Sequence, residues 1–529
     1  MARRWWSLVA LSTAVLAVGI DLTVLNVALP NLATSLHAST SQLQWFVDAY
    51  SLVVAALLVP AGLLADRFGR RRLLMAAIAV FALGSVACAY AGSPAALVAG
   101  RAVLGIGAAV ILTVSVSLLP VLFPDDHERQ KATAAVMGCT MLGYPLGPVI
   151  GGWLLGHFWW GSIFLVNLPV AALALLAVLA VMPESRRARP PRPDTPGVIG
   201  ATLGLSGLGL VGVTYGVIEA GQEGWGSPGA LAPLAGGLAA LAAFAAWERR
   251  RPRHHAEPLI DLGLFSSGPF AWGTVLATLV SFALFGLLFA MPQYFEGVTG
   301  LTALASGVRL LPFIGGFVLG AIVVTALQRD GEPHTPAGAG PRVPANIVAS
   351  AGFAVMAAGL LLGATTTLDS APGWAATWFV VCGLGLGSAL PASMNVALGA
   401  LGTERTGAGS GLIMACRQVG ATVGVAVLGT VLNSGYRHHV AVTGLPPGAA
   451  GVARQGLGNG LVVAQRLGDG PLARSARSAF VLSLDEMLRV CAGTALVATV
   501  LALAFLSRRR SARTSPATVR PEPVVAGDL

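Results

Sequence analysis

Long apolar stretches broken by short polar ones run the whole length of this chain. About twenty apolar residues, at a helical rise near 1.5 Å, cross a hydrocarbon core about 30 Å thick. Stretches of that kind stand at 7–30, 42–64, 73–91, 95–119, 132–155, 162–182, 197–218, 229–247, 269–292, 303–327, 344–364, 374–400, 407–432 and 486–506, fourteen in all. The first follows Met1-Ala2-Arg3-Arg4 in the manner of a signal peptide. It is too long for one, contains Asp21 and lacks a small-residue cleavage site, so it reads as an uncleaved first span. The pattern predicts an all-α, polytopic membrane protein of about fourteen transmembrane helices.

Composition agrees. Of the 529 residues 55% are hydrophobic and 11% charged, where soluble chains carry about a quarter charged. The mean hydropathy is +0.75, and the apolar excess must face lipid. A net charge of +10 raises nucleic acid as a partner, so the placement of the charges decides. If the fourteen stretches cross alternately, 24 of the 33 basic residues fall on one side, in both termini and in alternate loops. The first six loops on the other side hold none. Both termini are therefore expected in the cytoplasm, and the charge is an orientation signal with no nucleic-acid partner. The exception is 433–485, which lies outside yet holds Arg437, Arg454, Arg466, Arg474 and Arg477. Long loops translocate with less regard for charge. Its stretches 447–465 and 473–484 read as short amphipathic helices forming an outer hairpin, or as a re-entrant segment. Cys88, Cys139, Cys382, Cys416 and Cys491 sit in apolar runs without metal-ligand spacing and read as small hydrophobes. No metal or cofactor is expected.

Of the 23 acidic residues only Asp21 and Asp48 lie well inside the expected spans. Helix rise puts Asp21 about 13 Å, Asp48 about 9–10 Å and Arg101 about 10 Å below the outer surface. A carboxylate in hydrocarbon is costly and marks function by default. One reading is a structural ion pair that lets polar groups survive burial. The other is a proton-accepting carboxylate, with desolvation favouring its neutral form and an arginine that comes and goes favouring its charged form. On that second reading Asp21 carries the proton, Arg101 switches it, and Asp48 tunes the site or meets cationic substrate. Asp21→Asn is expected to fold normally, because it removes a buried charge, and Arg101→Ala to fold worse.

Several motifs carry a family resemblance. Gly62-Leu63-Leu64-Ala65-Asp66-Arg67-Phe68-Gly69-Arg70-Arg71-Arg72 resembles the signature between spans 2 and 3 of the major facilitator superfamily. Ile20 to Pro30, around Asp21, looks like the first-span motif of its fourteen-span drug:proton antiporters. Arg101 with Gly105 and Gly107 resembles the fourth-span motif, and Gly143 to Gly152 the fifth-span antiporter motif. Pro292-Gln293-Tyr294, Gly383 to Gly387 with Pro391, and Arg417 to Gly429 also look like that family, so the likeness covers essentially the whole chain. Gly143, Gly147 and Gly151 recur every four residues, a stripe where another helix approaches closely; Pro145 and Pro148 would bend that helix. With Gly152, these residues form the motif that the resemblance places at the boundary between two six-helix halves. Asp66, Arg67, Gly69 and Arg70 are implied to latch the halves, Asp66 meeting the positive end of span 13. A plain packing stripe and a charge run serving topology alone are the simpler readings.

The resemblance implies an N-terminal half at 1–182, two inserted helices with cytoplasmic loops at 183–268, a C-terminal half at 269–506 and a tail at 507–529. A faint repeat supports two halves, Gly143 and Gly147 echoing Gly420 and Gly424. Two departures bear on substrate. Leu412 to Gln418 carries Arg417 and no acid, where exporters of dicationic antiseptics have acidic residues, and Trp160-Gly161 replaces the tryptophan-arginine pair expected before Asn167 and Pro169. Neutral, zwitterionic or monocationic amphiphiles are therefore favoured. Candidate substrate contacts are Asn26, Asp48, Tyr50, Tyr294, Asn395 and Arg417. The function implied is proton-gradient-driven export of lipophilic drugs, antibiotics or toxic small molecules by alternating access, by a monomer in the bacterial inner membrane. A proton-coupled importer or a non-transporting sensor are the alternatives. No HExxH, GxSxG or Walker sequence points to an enzyme.

Overall fold

The computed structural model of the chain describes residues 2–123, 125–182, 196–250, 262–328, 343–401 and 406–506. The described residues contain α-helix and short 3-10 or π turns, and no strand. The first group is α1 (Ala2–Ser35), α2 (Thr40–Phe68), α3 (Arg70–Ala89), α4 (Pro94–Leu122), α5 (Asp126–His157), the single turn α6 (Ser162–Leu165) and α7 (Asn167–Val181). A hairpin follows, α8 (Pro196–Glu223) and α9 (Pro228–Arg250). The last group is α10 (Gly268–Gln293), α11 (Ala303–Arg309), α12 (Leu311–Gln328), α13 (Ala345–Gly363), α14 (Pro372–Gly399), α15 (Thr406–His439), α16 (Pro447–Ala453), α17 (Leu457–Leu467) and α18 (Gly470–Leu506). Thirteen helices among the described residues are long and apolar enough to cross a membrane. The expected span 132–155 is helical within α5, several of whose side chains lie outside the described residues.

Local chemistry sets the helix starts. Ser39 caps α2 through a capping box with Gln42, and Ser93 with Pro94 opens α4, each satisfying amides that the first turn leaves free. Gly69 joins α2 to α3 at φ 97°, a conformation that glycine adopts without strain.

Side-chain-free positions let the helices close on one another. A Cβ at Gly84 or Gly107 would press on Leu104 or Phe81, tying α3 to α4. On α14, Gly383 and Gly387 meet the α12 backbone at Phe313 and Phe317, while Gly385 meets Met356 of α13. Lipid offers no hydrophobic gain for such contacts, so close backbone approach holds the bundle.

One end of the bundle is closed by contacts between the two groups. Gln44 of α2 donates its amide to the Val425 and Ala426 carbonyls of α15, at 3.3 and 3.0 Å. Asn31 of α1 donates to Glu296, in the π turn Tyr294–Val298 that ends α10, at 3.5 Å. Over this end lies a cap made of α16 and α17. The Gln455 carbonyl accepts from the backbone N–H and hydroxyl of Thr40, at 3.1 and 2.9 Å. Asn459 donates to the Ala38 carbonyl at 3.2 Å, and Tyr436 of α15 to the Ala453 carbonyl at 3.2 Å. We call this the cap end.

The region expected as an outer loop at 433–485 is shorter than its sequence suggests. α15 continues to His439, and α18 begins at Gly470, so 473–484 is the first part of a 37-residue helix. The helix expected at 473–484 is present, but it continues into the last span instead of forming a separate hairpin. The inserted hairpin touches both groups. Thr430 and Asn433 of α15 donate to the α8 carbonyls of Val217 and Gly221, at 2.9 and 3.4 Å, and Trp45 of α2 packs on Tyr215 with ring centroids 6.2 Å apart.

Candidate functional site

The polar centre of the N-terminal group forms around Asp21. Its carboxylate is fully buried, and Arg101 of α4 is 1% exposed. The Arg101 Nη1 donates to Asp21 Oδ2 at 2.7 Å. Its Nε donates to the Phe46 carbonyl of α2 at 2.9 Å, and the guanidinium carbon lies 4.4 Å from the Tyr50 ring centroid. Asn167, the first residue of α7, donates to Asp21 Oδ1 at 2.9 Å and to the Ser85 hydroxyl of α3 at 3.2 Å. Helices α1, α3, α4 and α7 thus converge on one carboxylate, with α2 lending a carbonyl and a ring. A charge pair in so dry a place persists when hydrogen bonds satisfy its remaining groups; here both Asp21 oxygens accept, and two guanidinium nitrogens donate.

Asp48 shares the depth of that pair without joining it. It is fully buried, and neither carboxylate oxygen has a hydrogen-bond partner among the described residues. One helical turn before it on α2, Gln44 reaches α15, so Asp48 follows on the α15-facing side. The Tyr50 hydroxyl and Asn26 Oδ1 are also buried without partners among the described residues. Asn26 Nδ2 turns back to the Leu22 and Thr23 carbonyls.

In the C-terminal group Arg417 of α15 is 7% exposed. Its Nε donates to the Ser281 hydroxyl of α10 at 3.2 Å, and Nη1 lies 3.6 Å from the Met414 sulfur and 4.0 Å from that of Met394. Tyr144 of α5 is within electrostatic reach of it. Tyr294 is buried in the π turn, its ring 5.5 Å from Phe295, and Asn395 is exposed on α14. The six residues expected to contact substrate therefore do not form one cluster in this structure.

The motif residues divide. The resemblance puts the fifth-span stripe between the halves; the structure puts Gly143, Gly147 and Gly151 against α1, within the N-terminal group. A Cβ on Gly143 would meet Gly19 and Ile20 at 2.7–2.8 Å, one on Gly147 the Thr23 hydroxyl and the Val24 amide, and one on Gly151 the Val24 side chain. Gly152 and Pro148, each one residue and about 100° further round the helix, are the positions that face across. A Cβ at Gly152 would meet Ala303 and Leu304 of α11 at 2.6 Å, and the Pro148 carbonyl abuts Gly307. Nothing is described of the Pro145 side chain. The side chains of Asp66 and Arg67 likewise lie outside the described residues. Gly69 closes α2 through its N–H to the Ala65 carbonyl at 3.1 Å, Arg70 is half-buried, and Arg71 donates to the Leu179 carbonyl near the end of α7 at 2.8 Å.

Sequence reasoning missed Asn167 as a partner of Asp21, although it stands in a quoted motif. A polar residue at the start of an apolar run is the signal that would have found it. Gln44 and Glu296 were missed because each lies near a span end, where polar residues are ordinary.

The family model for the Major Facilitator Superfamily matches residues 11–425. The chain is 34% identical over 507 residues to the multidrug efflux pump LfrA of Mycolicibacterium smegmatis, covering 95% of each chain. It is 32% identical over 433 residues to the tetracenomycin C resistance and export protein of Streptomyces glaucescens, covering 82% of this chain and 76% of that one. Among solved structures, a bacterial homologue of the human lysosomal transporter Spinster, inward-facing and unoccupied, superposes with a TM-score of 0.67 at 18% identity, covering 96% of this chain and 99% of that one.

Proposed function

We propose a function from one premise: this chain belongs to the major facilitator superfamily. It is a membrane transporter of small molecules and not an enzyme. It exports lipophilic drugs, antibiotics or other toxic small molecules in exchange for protons, by alternating access. Export is supported by relatives named as efflux, resistance and export proteins. Proton exchange rests on one observation, the buried Asp21 carboxylate held by Arg101 and Asn167. Protonating Asp21 removes the charge that holds Arg101, so loading a proton and freeing the guanidinium become one event. The freed arginine retains the Phe46 carbonyl and the Tyr50 ring, which keeps the cost of the exchange moderate.

In this reading the protein sits as a monomer in the bacterial inner membrane with both termini cytoplasmic, and the cap end faces outward. The Gln44, Asn31 and Gly152 contacts then close the outer side. Asp66, with Arg67, Gly69 and Arg70, serves as the cytoplasmic latch, and Asp48 tunes the site or meets the cationic part of a substrate. The test is accumulation of a lipophilic drug in cells expressing the protein, with and without a proton uncoupler. Expressing cells should hold less drug than controls, and the uncoupler should abolish the difference. Reduced accumulation that survives the uncoupler would overturn proton coupling.

A further inference from the structure

Two buried arginines in this molecule live in opposite circumstances. Arg101 has a carboxylate, a carbonyl and an aromatic face. Arg417 has a serine hydroxyl and two thioether sulfurs, and no carboxylate within ion-pair distance among the described residues. A guanidinium offers five N–H donors, and a thioether is a weak acceptor, so most of its capacity is unused. The next residue, Gln418, also has a buried amide nitrogen without a partner among the described residues. A buried cation kept without a counter-charge is costly for structure alone. The groups facing Arg417 are Ser281 from α10, Met394 from α14 and Tyr144 from α5, which makes it a meeting point of both halves.

We infer that Arg417, aided by Gln418, anchors an acidic group on the substrate, so that the transported class includes amphiphiles bearing a carboxylate or an equivalent anion. This rests on the export reading above and narrows it. Asp48 completes the match. The α2–α15 register runs antiparallel through Gln44 and Ala426, which sets Asp48 level with Thr422, five residues and about 7.5 Å along the axis from Arg417. Both Asp48 oxygens are unpartnered among the described residues. An amphiphile with an amine at one end and an acid at the other would satisfy both charges together.

The probes are rhodamine B, which carries a free carboxylate, and its ethyl ester, bound to the purified full chain in detergent and followed by fluorescence anisotropy. A charge-assisted contact predicts that the acid-to-ester affinity ratio of the wild type exceeds that of Arg417→Gln by about 10- to 100-fold. Arg417→Lys should retain part of the preference. If Arg417→Gln does not fold, a marked acid preference in the wild type that survives in weakened form in Arg417→Lys supports the inference, and an equal affinity of the wild type for both dyes overturns it. The same ratio in wild type and Arg417→Gln, or binding of neither dye by the wild type, also overturns it. Proteoliposomes with an imposed pH gradient separate this from the premise. Selective binding without gradient-driven movement counts against export and leaves the anion site standing. Gradient-driven movement of both dyes without selectivity leaves export standing and removes the anion site.

Discussion

Neutralising Asp21 leaves Arg101 buried and uncompensated, which reverses what sequence position alone suggests for Asp21→Asn. Removing one partner of a buried pair costs about 3–5 kcal/mol. Asp21→Asn falls toward the low end, since its amide oxygen still accepts and the Phe46 carbonyl and Tyr50 ring remain. Arg101→Gln falls toward the high end, because it leaves a carboxylate whose remaining partner is Asn167. The double variant Asp21→Asn/Arg101→Gln has no charge to strand. It forfeits the cation–π contact, about 2 kcal/mol in a dry site, and about one net hydrogen bond, about 1 kcal/mol. Additive behaviour of the singles would demand about 6–10 kcal/mol. The double variant should therefore unfold at a temperature no lower than the weaker single, measured by thermal unfolding of the four proteins in one detergent. All three variants should lose proton release on substrate addition. A double variant destabilised by the full sum of the singles would refute the pairing argument, and an Asp21→Asn protein that still releases protons and pumps uphill would move the proton site to Asp48 or elsewhere.

Gly147→Ala and Gly152→Ala should fail differently. The first drives a methyl into Thr23 and the α1 backbone and should cost about 1–3 kcal/mol of stability, seen as a lower unfolding temperature. The second collides with α11 across the halves, so it should spare stability more and favour opening at the cap end, raising the labelling rate of a cysteine placed at Leu43. Equal rates in Gly152→Ala and wild type would refute that. Asn459→Ala frees the Ala38 carbonyl from the cap; it should speed amide exchange at residues 36–40 several-fold, and unchanged protection there would show that the cap is not a fastening.

The helices and the depth of the charged groups were legible in the sequence because both follow from counting residues against a bilayer. Asp21 and Arg101 match in depth, and they pair. Depth says nothing about direction around a helix, however: Asp48, at nearly the same level, lies on the α15-facing side and has no hydrogen-bond partner among the described residues. The glycine stripe illustrates the same limit. Its spacing announces close approach, but only packing shows that α1 lies against it while Gly152 faces α11. The continuous α18 was legible in part: 473–484 reads as an amphipathic helix, but hydropathy alone does not show that it runs unbroken into the last span.

The contacts of α15 with the inserted hairpin also bear on how the protein is made. Chains are synthesised from the N-terminus, so α8 and α9 are in the bilayer well before α15 emerges. Thr430 and Asn433 arrive carrying polar hydrogens that lipid does not satisfy, and the carbonyls of Val217 and Gly221 accept them. Both acceptors are main-chain atoms, which every residue type supplies. The hairpin therefore offers the late-arriving helix a docking site of main-chain atoms, one that also requires position 221 to stay small, since a Cβ there would meet Thr430 at 3.0 Å.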